Sequence, residues 1–542
     1  MERKAGILLH PTCLPGSAGI GTLGKSAFTF IDFLASAGMK LWQVLPLGPT
    51  GYGDSPYQSF STFALNPLLI DFDNLVERGW ASKKSIKKPS YVKMNGNVDF
   101  GAVVWWKMNA LKEIAKYFLE LITNPEGAGE NLDPKVKMEF FSFCRENLFW
   151  LRDYAAFMSI KAFYDAAAQK ESEEKKCYVN GAWNVYWEKS LAKHDEAAVE
   201  KWINEHSEDF LQTEVIQFFV AKQWEAVHDY AKSKGVQIVG DIPIFVAADS
   251  SDVWANQSSF LIDENGKFTS VAGVPPDYFS ATGQLWGNPL YNWENMKNNN
   301  YSWWILRIKK MLSLVDFVRI DHFRGFESYW AVPYGSENAI NGKWEKGPGM
   351  DLFNAIKKEL GDLPLIAEDL GVITDEVKAL RDESGLPGMK VLQFGFDKNE
   401  WKNGALKNAF LPHNYDTVNC VAYTGTHDND TTQGLLSSLD DESLVLIADY
   451  LTGEKNSLEK AKKLLAGKTL TKLLVKLVLS STAGIAVVPL QDVYALGTEA
   501  RMNMPSTSGK NWSWRAEKGM IEGSKAEKAA AWLKNLTVLY AR

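Results

Sequence analysis

The 542-residue sequence predicts a (β/α)8 barrel, an α/β fold, with large and mainly helical insertions. Three observations carry that expectation: eight short apolar runs bounded by turn residues, continuous rather than alternating hydrophobicity within them, and amphipathic helical spacing between several of them. Strands that are apolar on both faces belong to a parallel sheet covered on its outside, and eight of them favour closure over an open sheet.

The first run is AGILL (5–9). After it, KSAFTFIDFLASAG (25–38) repeats apolar residues near every 3.6 positions and puts Gly38 where a helix C′ residue belongs. LWQVLPL (41–47) is the second run, and about 190 residues separate it from the third, VQIVGDIPIFV (236–246). Most of that interval is helical, with Trp, Phe and Leu on one face and Lys and Glu on the other, so 70–232 reads as an inserted helical subdomain between strands two and three. The stretch 247–314 is rich in Gly, Pro, Asn and aromatics and reads as a loop-rich insertion. VDFVRID (315–321), LPLIAED (363–369), MKVLQFGF (389–396), VNCVAYTG (418–425) and IAVVPL (485–490) complete the eight, and DEVKALRDESG (375–385) repeats the helix-then-glycine arrangement. A single barrel domain spanning 1–542 follows.

Hydrophobic residues make up 46% of the chain and charged residues 23%, enough for a sizeable core. A net charge of −7 argues against nucleic acid as a partner, since phosphate neutralisation calls for a basic surface. Cysteines at 13, 144, 177 and 420 are too scattered for a disulfide framework and are expected to be reduced, buried thiols. MERKAGILLHP lacks a signal-peptide core and no run of roughly 18 apolar residues occurs, so a cytoplasmic location without membrane partners is expected. The 20 tryptophans suit a large core and equally suit stacking on ring-shaped ligands.

Active sites of such barrels form at the C-terminal strand ends. Three candidate strands end in, or are closely followed by, a carboxylate: Asp321, Glu368 and Asp428. Any one alone reads as a turn former or helix cap, although Glu is a poor cap. In DFVRIDHFRGF (316–326), Arg319 and Asp321 lie two residues apart and share a strand face. The arginine would hold Asp321 ionised as a nucleophile, while Glu368, behind Leu365, Ile366 and Ala367, would be desolvated toward a general acid. A competing pattern, GIGTLG (19–24), matches a dinucleotide fingerprint, yet nine residues separate it from its strand and no acidic ribose ligand follows the next one. His322 and His427 each neighbour an aspartate, but isolated histidines are more often hydrogen-bonding residues than metal ligands.

Longer strings are more specific. VRIDHFRGF, IAEDLG and YTGTHDNDT, together with GYGDSPYQSFSTFALNP (51–67), GDIPIFVAADSSDVW (240–254), GVPPDYFSATGQLWGNPLYNW (273–293) and RMNMPSTSGKNWSWR (501–515), resemble segments of the amylomaltase or disproportionating-enzyme family, the 4-α-glucanotransferases related to α-amylases. The resemblance implies retaining transfer between α-1,4-glucans or maltooligosaccharides, with no organic cofactor and no metal. It implies Asp321 as nucleophile, Glu368 as acid and base, Asp428 as a third carboxylate on the sugar ring, and His427 and Arg319 as its hydrogen-bond partners. Tyr57 would be a stacking platform. Loop 273–293 would lie on the acceptor side through Tyr278, Phe279 and Trp286, and Asp241, Asp277, Asp397 and Asn503 are further candidates by motif position. Ser506 departs from the glycine of the family's NxPGT turn. An α-1,4-glucan hydrolase with the same carboxylates is the alternative, and a glucan-binding protein with structural acids is a second.

Overall fold

Eight parallel strands build the central sheet of the computed structural model, which describes residues 2–123, 133, 135–276, 280–402, 407–507 and 509–542. They are β1 (Lys4–Leu8), β2 (Leu41–Gln43), β3 (Gln237–Pro243), β4 (Phe317–Asp321), β5 (Leu365–Ala367), β6 (Gly388–Val391), β7 (Cys420–Tyr423) and β8 (Ile485–Pro489). Chain neighbours pair from β1 to β5 and from β6 to β8, and β8 pairs with β1, Ala5 opposite Ala486. Between β5 and β6 the Ala367 N–H donates to the Pro387 carbonyl at 2.9 Å, so the sheet is a nearly closed barrel. Every expected strand is present; β1 is shifted one residue toward the N-terminus, β6 starts one residue early and ends five early, and the others are shortened.

Side chains alternate across these strands. Leu8, Leu41, Val239, Ile366, Met389, Val391, Val421, Tyr423, Ile485 and Val487 pack together inside the barrel. Ile7, Trp42, Ile238, Val318, Ile320, Leu365 and Ala422 face outward into the layer shared with the helices. Burial on both faces is why the strands read as continuous apolar runs. Two positions above Val239 and Ile366 on the inward face come Asp241 and Glu368, so the same alternation that fills the barrel aims carboxylates at its mouth.

The helix Lys25–Ser36 stops at Gly38, whose φ of 67° turns the chain so that the Met39 N–H donates back to the Leu34 carbonyl at 2.9 Å. Gly21 and Gly24 of the GIGTLG run are glycines for packing. An added Cβ would meet the Pro11 carbonyl oxygen at 2.0 Å from Gly21 and Asp71 Oδ2 at 2.0 Å from Gly24. That removes the phosphate-cradle explanation of the motif. Between β2 and β3 run the helices Phe100–Thr123, Val136–Glu146, Leu148–Lys175, Glu196–Glu205 and Ser207–Ser233. Fully buried Lys107 ties the first of them to the preceding loop by donating to the carbonyls of Leu68 (2.8 Å) and Ile70 (2.6 Å).

A four-stranded antiparallel sheet flanks the mouth, ordered Gln284–Pro289, Ser270–Val274, Ser328–Pro333, Lys343–Lys346. Two of its strands fall in 247–314, whose Gly, Pro and Asn content reads as loop. They exist because Ser270–Val274 pairs with Ser328–Pro333 from beyond β4, a partner that local composition does not encode. Cys13 and Cys420 are buried as expected, but Cys177 is exposed, just past the end of Leu148–Lys175. Among the described residues no helix is long and apolar enough to cross a membrane, and no three His, Cys, Asp or Glu side chains group as metal ligands.

Candidate active site

The inward face of β4 carries Phe317, Arg319 and Asp321, and Arg319 lies opposite Asp241 of β3. Arg319 is 4% exposed and its fork is shared: Nη1 donates to Asp241 Oδ2 at 2.6 Å and Nη2 to Asp321 Oδ1 at 2.8 Å. Burial works against its charge, but Asp241 and then Asp321 outweigh it and hold the guanidinium protonated. The Tyr57 hydroxyl donates to the same Asp241 Oδ2 at 2.8 Å. Burial pushes the Asp241 carboxyl up to about 7 against the pull of Arg319. The pair seen from the sequence as Arg319 and Asp321 is thus a four-membered chain, Tyr57–Asp241–Arg319–Asp321.

Glu368 follows β5 as Asp321 closes β4. Ile320 and Ala367 are register partners, so Asp321 and Glu368 leave adjacent strands at one level, where strand axes run about 4.8 Å apart. The Glu368 carboxylate accepts from the N–H of His322 at 2.7 Å and of Leu370 at 2.9 Å. His322 presents its N–H from a left-handed conformation, φ 57°. Burial, reinforced by the Asp321 charge, raises Glu368 to about 8 despite these donors and Arg319. Desolvation and a like charge together keep a proton on this carboxyl at neutral pH.

Beyond β7, buried His427 stacks on Tyr57, with ring centroids 5.1 Å apart, and both rings meet Trp512 at 5.8 Å. Asp428 extends from it, half exposed, with Oδ1 accepting from Asn503 Nδ2 at 2.6 Å and its carbonyl accepting from Arg501 Nη2 at 2.7 Å. Beneath this turn, buried Asp492 accepts from the Thr424 and Thr432 hydroxyls at 2.6 and 2.7 Å, fixing the end of β7 to the helix that follows.

Tyr57, Trp286, Asp321, His322, His427, Asp428, Asn503 and Trp512 are among the residues that line one cleft of about 770 Å³; Glu368, Arg319 and Asp241 are not part of that lining and reach the site through their contacts with Asp321, His322 and Tyr57. Trp286 meets the His322 ring edge-on at 4.8 Å. Asp397 is elsewhere: it is exposed, its carboxylate accepts from the Asn399 N–H at 2.8 Å at the start of the helix Lys398–Lys402, and it does not line the cleft. Asp277, Tyr278 and Phe279 lie outside the described residues. Ser506 lines the cleft with φ 62°, the backbone conformation that favours glycine. No role for Trp512, Arg501 or the His322 backbone follows from strand period or motif position alone. The first two lie in the RMNMPSTSGKNWSWR string, whose unusual density of Arg, Asn and Trp was their signal.

Chemically, the rim sets a carboxylate bonded to a buried arginine beside a carboxyl held protonated, with a third carboxylate and aromatic faces around one opening. A family model described as 4-alpha-glucanotransferase matches residues 9–520. Relatives named 4-alpha-glucanotransferase from Synechocystis sp. and Thermus thermophilus are 45% and 44% identical over 517 and 522 residues, covering 95% and 96% of this chain and 94% and 96% of theirs. Among solved structures, an amylomaltase from Streptococcus agalactiae in complex with acarbose matches with a TM-score of 0.88 at 36% identity over 100% of both chains. An amylomaltase from Corynebacterium glutamicum, 15% identical, shares the fold at a TM-score of 0.68 over 98% of this chain and 75% of its own. With barrel, carboxylate rim and near full-length similarity in agreement, this chain belongs to the 4-alpha-glucanotransferase, or amylomaltase, family of retaining glycoside-hydrolase-type enzymes.

Proposed function

We propose that this cleft moves α-1,4-glucan segments from a donor chain to the 4-hydroxyl of an acceptor glucan or glucose through a covalent intermediate on Asp321. The observation that carries this reading is the common level of Asp321 and Glu368 on adjacent strands, with Arg319 bonded to the first. Retention needs two carboxyl groups about 5–5.5 Å apart, which neighbouring strands provide and distant ones do not. Asp321 attacks the anomeric carbon while Glu368 gives its proton to the departing sugar oxygen; the acceptor hydroxyl then returns a proton to Glu368 as it displaces Asp321. Asp428, held by Asn503, binds ring hydroxyls more tightly as the sugar distorts toward the oxocarbenium-like transition state. Tyr57, stacked on His427, covers the same sugar, and Trp286 borders the acceptor side. Acarbose bound to the Streptococcus agalactiae amylomaltase supports a saccharide ligand here.

Transfer and hydrolysis share every step up to the second displacement. Incubation with maltotriose separates them: a transferase yields glucose together with chains longer than the substrate, a hydrolase only shorter ones. The expected products are the former. Asp321→Asn is expected to abolish turnover, and unaltered turnover would remove Asp321 from the mechanism.

A further inference from the structure

Arg307 sits on Ser302–Leu312, the helix that leads into β4, and is 1% exposed. Its donors reach three separate segments. Nε donates to the Thr62 hydroxyl at 2.7 Å, Nη2 to the Pro243 carbonyl at 2.6 Å, and Nη1 to the Ile244 carbonyl at 3.2 Å and the Tyr291 hydroxyl at 3.4 Å. The Thr62 N–H in turn donates to buried Asp252 at 2.8 Å.

Each of these segments continues directly into the site. Pro243 ends β3, two residues past Asp241, and is the register partner of Asp321. The Ile244 N–H donates to the Asp321 carbonyl at 3.2 Å. Thr62 closes the loop that brings Tyr57 to Asp241. Carbonyls just past a strand end have lost their ladder partners and are costly to bury unpaired. Only arginine carries several donors in a fixed planar fork, so no other side chain bridges a hydroxyl and two successive carbonyls from one buried position.

We infer that Arg307 is a positioning residue for the transfer reaction: it fixes the spacing between the Tyr57 loop and the C-terminal end of β3, and thereby the Tyr57–Asp241 contact over the reacting sugar. It touches no substrate. The inference rests on the site assignment above, and its test separates the two. Thr62→Val removes only the hydroxyl acceptor, and Arg307→Lys keeps the charge while losing the fork. Both are measured on maltotriose in the otherwise wild-type chain and in a Tyr57→Phe background, with Asp321→Asn as control.

Misplacement of a group on the reacting sugar by about 1 Å costs up to about 100-fold, so each single change is expected to lower kcat/KM by about 10-fold with a raised KM. In the Tyr57→Phe background the same changes are expected to add little, because the contact they support is already gone. A fall in kcat at unchanged KM that vanishes once rates are normalised to folded protein overturns the inference, as do losses that multiply fully with Tyr57→Phe. If Arg307→Lys does not fold, Thr62→Val decides alone. Normal kcat/KM in Thr62→Val while Asp321→Asn is inactive sinks this inference and leaves the site assignment standing; turnover in Asp321→Asn sinks the assignment itself.

Discussion

Replacing Arg319 by methionine keeps the length and most of the apolar stem of the side chain while deleting the cation between two carboxylates. With charge centres about 4 Å apart and an effective dielectric near 20, each pair contributes about 4 kcal/mol before desolvation is charged against it. Removing one partner of a buried ion pair costs about 3–5 kcal/mol, and Asp241, with a fully buried side chain, is the partner left behind. Its carboxyl already lies at about 7, against an ordinary value of 3.8, with Arg319 opposing the rise. Without the arginine it rises further. A carboxyl raised in the folded state binds its proton where the unfolded chain has released it, so the stability it contributes is lost as pH increases. Below about 7 the group is protonated in both proteins; above it only the variant retains the proton. The thermal-unfolding deficit of Arg319→Met is therefore expected to be small at about pH 5.5 and larger at about pH 8.5. Turnover of maltotriose should fall by about 100-fold or more, since Asp321 loses the donor that orients it. A deficit independent of pH, together with kcat/KM close to wild type, would refute the reasoning.

Glu368 must carry a proton to serve as the acid, so the pH profile of kcat/KM on maltotriose is expected to fall on its alkaline side near 8, the value to which burial and Asp321 raise it. Arg319 pulls that value down, so Arg319→Met should displace the alkaline limb upward. An alkaline limb left near the ordinary carboxyl range in the wild-type chain would take Glu368 out of this role. Ser506 holds a left-handed conformation that costs an L-residue about 1–2 kcal/mol, whereas glycine adopts it at an entropic cost of about 0.5–1 kcal/mol. Ser506→Gly should raise the unfolding midpoint slightly and Ser506→Val lower it, as read by thermal melts; the opposite order would mean that this backbone strain does not govern the turn.

The eight strands were legible because each is buried on both faces, which writes hydrophobicity into consecutive residues, and because Gly, Pro and Asp mark their ends. The shared face of Arg319 and Asp321 needed only the two-residue period of a strand. The second partner of Arg319 did not follow from that period: Asp241 comes from 78 positions earlier in the chain and is brought opposite by the β3–β4 register. For Glu368 the sequence supplied desolvation by Leu365, Ile366 and Ala367, and the barrel added the Asp321 charge and two backbone donors. Asp397 shared a motif neighbourhood with site residues, yet its strand gives way to the turn Leu392–Gly395 and delivers it to the surface. The antiparallel sheet beside the mouth was hidden for the reason that hides most such sheets: its strands are specified by partners, not by their own composition.

By itself the sequence determined which residue types repeat at which period, and hence the strands, the helices between them and the acids at three strand ends. Only the tertiary structure decided which of those groups meet. Periodicity is a property of neighbours along the chain, whereas the field at Glu368, the sharing of one guanidinium by Asp241 and Asp321, and the clamp of Arg307 on two loops depend on distances that exist only after the barrel has closed.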